Sequence, residues 1–176
     1  MKNSVRRLVF AALCLALALV LPFLTGQIPE IGSMLSPMHI PVLLCGFVCG
    51  WPWGVAVGAV APILRSFLFH MPPMFPTAFA MAFELATYGL VAGLLYKLLP
   101  KKTGWLYFEL IAAMVAGRVV WGGVRFAIAG LGGSEFSPAA FLAGAVTSAV
   151  PGMILQIILV PLLVLALQKA RYIENK

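Results

Sequence analysis

Two long stretches of this chain carry no aspartate, glutamate, lysine or arginine: from Glu30 to Arg65, interrupted only by His39, and from Glu135 to Lys169. A soluble domain is about half apolar and about a quarter charged; this chain is 62% hydrophobic and 10% charged. It has too few polar residues to cover a water-facing surface. A bilayer span takes about 20 mostly apolar residues, so the chain reads as an all-α, polytopic membrane protein. We expect one membrane domain over residues 1–176.

Breaker residues divide the apolar sequence into six spans, at about 5–24, 37–50, 53–70, 75–98, 105–129 and 138–169. "TGQIPEIGS", "WPW", "HMPPMFP", "PKKTG" and "GLGGSEFSP" separate them. The second span is short, which calls for a tilt or for shielding by protein. Pro151 and Pro161 are expected to bend the sixth. The start, "MKNSVRRLVFAALCLALALVLPF", has the charge pattern of a signal peptide, but its apolar run is long for one. It is expected to remain as the first membrane helix.

Orientation follows from the basic residues. Lys2, Arg6 and Arg7 precede the first span. Lys97, Lys101 and Lys102 flank the loop after the fourth, and Lys169, Arg171 and Lys176 end the chain. With six spans all three groups fall on one side, expected to be cytoplasmic together with both termini. Topology therefore accounts for the formal charge of +7, and nucleic acid is not expected as a partner. Three cysteines make no disulfide framework. Cys45 and Cys49, four apart on one helix, read as small core residues, and no metal site or cofactor is expected.

Small residues recur at helical spacing: Ala12 and Ala16, Gly46 and Gly50, Gly54 and Gly58, Gly89 and Gly93, and Ala140, Gly144, Ser148 and Gly152. Such faces let helix backbones approach closely in lipid. Most are expected to serve internal packing; an outward-facing one would dock a partner.

Ionisable groups inside a membrane are expensive and mark function. The candidates are Arg65, Glu84, Arg118 and Arg125, with His39 at a span end. The third and fifth spans run outward and the fourth inward, so all five fall in the outer half or at the midplane. Arg118, Trp121, Gly122 and Arg125 share a helix face. With three arginines to one glutamate, pairing of Glu84 with Arg118 or Arg125 leaves positive charge over. The expected result is a pocket for an anionic solute, because the arginine fork grips a carboxylate with two bonds. Trp121, Tyr88 and Phe83 would supply its walls. The competing reading is a structural ion-pair network with one snorkelling arginine. Ser36 is the expected cap of the second helix, with Pro37 in its first position. That puts His39 in the first turn at the outer mouth, facing solute or bonded to the loop.

The size, the six spans, "RRLVFAALCLALAL", "MHIPVLLCGFVCGWPWGVAVGAVAPILRSFLFHMPP" and "AMAFELATYGLVAGLLY" resemble the S components of energy-coupling-factor (ECF) vitamin transporters. The likeness extends over nearly the whole chain and is closest to the pantothenate-type branch. It implies a high-affinity vitamin-binding subunit in a prokaryotic plasma membrane. Its partners would be a membrane coupling subunit, contacted through Ala12 and Ala16, and two ATPase subunits. Met38-His39-Ile40 resembles the metal-binding start of cobalt and nickel members. Here it is internal and lacks their free amine, so His39 is not expected to bind metal. The chain contains no GxxxxGK[ST] for ATP chemistry and no GxSxG, HExxH or paired aspartates, so no enzyme is expected. Other readings are an S component for folate, biotin, cobalamin or a thiamine precursor, a proton-coupled secondary transporter, and a structural subunit.

Overall fold

The computed structural model describes residues 2–25, 37–100, 102–132 and 150–170. Every regular element in them is helical. α1 is Lys2–Val20, continued by a 3-10 turn, Leu21–Thr25. α2 is His39–Cys49, α3 Trp51–Phe69, α4 Phe79–Leu98, α5 Thr103–Gly132 and α6 Val150–Lys169. The expected Ser36 cap, and the first half of the sixth span with Ala140, Gly144 and Ser148, lie outside the described residues.

The breaks have local causes. α2 and α3 are separated at Gly50, whose φ of 92° lies in the region that favours glycine. Pro52 follows in the first turn of α3, where a missing N–H costs nothing. After α3, Pro72, Pro73 and Pro76 cannot donate to a helix. One irregular turn, Met74–Ala78, leads into α4. Leu99 is extended, at ψ 158°, because the residue before a proline is pushed out of the helical region.

Among the described residues, five helical stretches are long and apolar enough to cross a membrane; α2 is a shorter apolar helix. At about 1.5 Å per residue, α2 reaches only about half of a hydrocarbon core of about 30 Å. It is shielded rather than exposed: nine of its residues are buried. α2, α3 and α4 form the centre, with α1 against α2 and α3, α5 against α4, and α6 against α2 and α5.

Specific contacts fix the directions. The Cys49 thiol, at the end of α2, lies 3.6 Å from the Arg7 carbonyl near the start of α1. Gly93, late in α4, faces the backbone of Trp51 at the start of α3. Gln168, late in α6, donates to the Tyr96 hydroxyl of α4 at 2.7 Å. At the opposite end, Phe23 meets Phe69 at 4.9 Å between ring centres. Successive helices therefore alternate up and down, and Arg6, Arg7, Lys97, Lys102 and Lys169 gather at one end.

The small residues divide into two uses. A methyl on Gly58 would lie 2.3 Å from the Leu85 carbonyl oxygen. One on Gly93 would lie 2.4 Å from the Trp51 nitrogen. These glycines let α3 and α4 touch backbone to backbone. On α1, by contrast, Ala11, Cys14 and Ala18 face the bundle, while Ala12 and Ala16 are exposed.

Candidate functional site

The buried polar residues of the central helices converge on Glu84. One turn separates Glu84 from Tyr88 on α4, so both face the same way. α2 places His39 opposite them, and α5 brings Arg118. Arg118 Nη1 lies 3.1 Å from Glu84 Oε1, and His39 Nε2 lies 3.3 Å from the same oxygen. The His39 ring meets the Tyr88 ring edge-on at 5.1 Å. His39, Glu84 and Tyr88 are 2%, 1% and 0% exposed. Gly117 creates the space for this arrangement: a methyl there would lie 2.0 Å from a carbon of the Tyr88 ring.

The cluster is incompletely satisfied. Arg118 Nε and His39 Nδ1 are buried and have no hydrogen-bond partner among the described residues; the Tyr88 hydroxyl, also without a well-formed hydrogen bond there, sits close enough to Glu84 and Arg118 to interact with both. Such groups are costly to leave unpaired. Guanidinium geometry makes the Arg118 nitrogen informative. Nη1 engages Glu84, whereas Nε belongs to the opposite edge of the fork, which can take a second carboxylate with two parallel bonds. With Glu84 as a carboxylate, which only accepts, His39 Nε2 must carry a proton.

The other expected site residues are placed differently. Arg125 lies 5.9 Å from the centre of the Trp121 ring. The two form a half-buried pair further along α5 on the Arg118 side. Arg65 stands apart from the cluster. Its guanidinium donates to the Leu19 carbonyl and lies 4.9 Å and 5.4 Å from the ring centres of Phe23 and Phe69. Leu19 is in the last turn of α1, where carbonyls lack helical partners, so Arg65 ties α3 to α1. His39 was expected at the outer mouth and is instead buried, because α2 is short and lies inside the bundle. Phe83 was expected in the pocket wall, but it is 47% exposed and packs on Phe79. Its neighbour Glu84 occupies the inward face of that helix turn.

Two polar residues were passed over in the sequence. Glu109 and Gln156 are each 1% exposed. Their signal was present: each is a single polar residue in an apolar run, "FELIAAMV" and "MILQIILV". Glu109 helps line a small open cleft at the basic end, with Tyr96, Lys102 and Gln168. Cys14, Cys45 and Cys49 are free and buried. Among the described residues, no group of three or more histidine, cysteine or acidic side chains is placed to hold a metal ion.

A short central helix walled in by long apolar ones, around a buried cluster with unused hydrogen-bonding groups, defines a polytopic membrane protein with a polar cluster at its centre. The comparisons place it further. The family model described as "ECF transporter, substrate-specific component" matches residues 6–164, and the chain belongs to that family. Membership implies a small-molecule substrate and association with the ECF transmembrane and ATPase subunits. Searches of curated proteins and of solved structures returned no match.

Proposed function

We propose that this S component binds a carboxylate-bearing vitamin, pantothenate foremost, and delivers it to an ATP-driven importer in a prokaryotic plasma membrane. The observation that carries this reading is the buried, unpartnered Nε of Arg118. Glu84 already occupies one side of that guanidinium, and a ligand carboxylate would take the other. Tyr88 can donate to the same anion. Calorimetric titration of the purified chain with pantothenate, folate and biotin tests the reading. Saturable binding of pantothenate supports it. Binding of a neutral or cationic vitamin in preference to any carboxylate overturns it.

The basic end of the bundle faces the cytoplasm in this reading, since lysine and arginine are retained on that side. Lys102 is exposed there. A Lys102→Cys variant is expected to react with an impermeant thiol reagent only from the inner side. The native cysteines give little background, being buried. Labelling from outside intact cells would reverse the orientation.

The exposed Ala12 and Ala16 support docking of the coupling subunit on α1, because small residues permit close helix approach. Ala12→Leu and Ala16→Leu should each lower transport while binding by the isolated subunit persists. Parallel loss of both would assign these alanines to internal packing.

A further inference from the structure

The register of α6 against α4 brings one more polar group to the binding level. Tyr96 of α4 and Gln168 of α6 are hydrogen-bonded at 2.7 Å. The two helices run in the same direction. Glu84 precedes Tyr96 by the same number of residues as Gln156 precedes Gln168, a rise of about 18 Å on each helix. Pro161 lies within that stretch of α6, so the count puts Gln156 within about one helix turn of the level of Glu84. Its face of α6, shared with Val160 and Val164 at four-residue spacing, points inward. Both valines are 0% exposed and belong to the apolar core that contains Tyr88. Gln156 itself is 1% exposed, and its Oε1 has no hydrogen-bond partner among the described residues.

We propose that Gln156 is a specificity-determining residue of the substrate site, accepting a hydrogen bond from a hydroxyl or amide N–H of a ligand whose carboxylate is held by Arg118. The inference rests on the binding reading above and narrows its substrate class. The open groups are of two kinds. Arg118 Nε and the Tyr88 hydroxyl donate; Gln156 Oε1 accepts. A carboxylate with no donor group would satisfy the first kind and leave the second buried and unpaired, which disfavours it. A carboxylate that also carries hydroxyl or amide N–H groups satisfies both.

The test is Gln156→Met, which keeps the length of the side chain and removes its acceptor. The intact chain is titrated with pantothenate and with the pantothenate analogue in which both hydroxyls are replaced by hydrogen. For a lost neutral hydrogen bond, pantothenate affinity should fall between about 2-fold and about 10-fold. Binding of the analogue should change less. Thermal unfolding of the ligand-free variant should change little, since the acceptor that is removed has no partner among the described residues. Unchanged pantothenate affinity, or a loss that is equal for the two ligands, overturns the inference and leaves the binding reading standing. So does a drop in ligand-free stability with unchanged binding, which makes Gln156 structural. If the native chain binds no pantothenate, that reading of the substrate fails. The inference is then decided by mass spectrometry of whatever molecule co-purifies: lower retention by Gln156→Met supports it, and equal retention or no retained molecule overturns it.

Discussion

A Gly89→Val chain should yield almost no folded protein, and Gly89→Ala should fold but melt well below the native chain. A methyl on Gly89 would lie 2.2 Å from the carbonyl carbon of Gly54 and 2.3 Å from its oxygen. Ordinary carbon contacts sit at about 3.5–4.0 Å, so α3 and α4 must separate by about 1.3 Å or more. Neither backbone can rotate aside as a side chain would. Gly46 of α2 meets the same point, its added methyl falling 2.9 Å from the Gly89 oxygen. The three central helices would loosen together. Overpacking a core costs roughly 1–3 kcal/mol, and Gly89→Ala should reach at least the top of that range because backbone is the obstacle. Gly123 is the internal control. A methyl there meets nothing within 4 Å, so Gly123→Ala should be neutral, or stabilising by up to about 1 kcal/mol from helix propensity. Size-exclusion profiles and thermal unfolding in detergent check both. A Gly89→Ala chain as stable as the native one would mean that the helix contact is not tight.

The glycine spacing that carries this contact is visible in the sequence, as are the breaks and the number of apolar segments. These depend on local chemistry: a proline without an N–H, a glycine able to adopt positive φ, a run of side chains that water rejects. The destination of each buried charge is less local. Arg65 and Arg118 look equivalent as lone arginines in apolar helices. Only the packing shows that Arg65 reaches an orphan carbonyl on α1, while Arg118 reaches a carboxylate on α4. His39 shows the same limit. Its prolines mark a helix start to within two residues, since α2 begins at His39 with Met38 in the cap position rather than at Pro37, but its depth depends on how far α2 is drawn into the bundle. Gln156 illustrates the other failing: an uncharged amide attracts less notice than a charge, although leaving it unpaired in an apolar core is also costly.

Arg118→Ala should weaken pantothenate binding by about 10- to 150-fold, the range for losing one charge-assisted hydrogen bond. The ion pair makes the outcome richer than a simple loss. Arg118 and Glu84 are 3.1 Å apart, with side chains 14% and 2% exposed, so each is the other's counter-charge in a largely buried centre. Breaking one side of a buried pair costs roughly 3–5 kcal/mol. Arg118→Ala should therefore lower stability as well as affinity, and Arg118→Lys should recover only part of each, because one ammonium cannot grip Glu84 and a ligand as a two-edged fork does. Glu84→Gln separates structure from binding. It keeps an acceptor near Arg118 but removes the negative charge, leaving the guanidinium uncompensated. The ligand-free variant should melt at a lower temperature. A ligand carboxylate can then take over as counter-charge, so saturating pantothenate should raise the melting temperature of Glu84→Gln by more than it raises that of the native chain. Replacing both partners by Arg118→Met and Glu84→Leu should recover much of the stability, since an apolar replacement for a buried pair is often neutral or better, yet should still bind poorly. A Glu84→Gln chain that gains no more from ligand than the native chain, alongside an Arg118→Ala chain with native affinity, would confine Arg118 to a structural role and remove the anionic site.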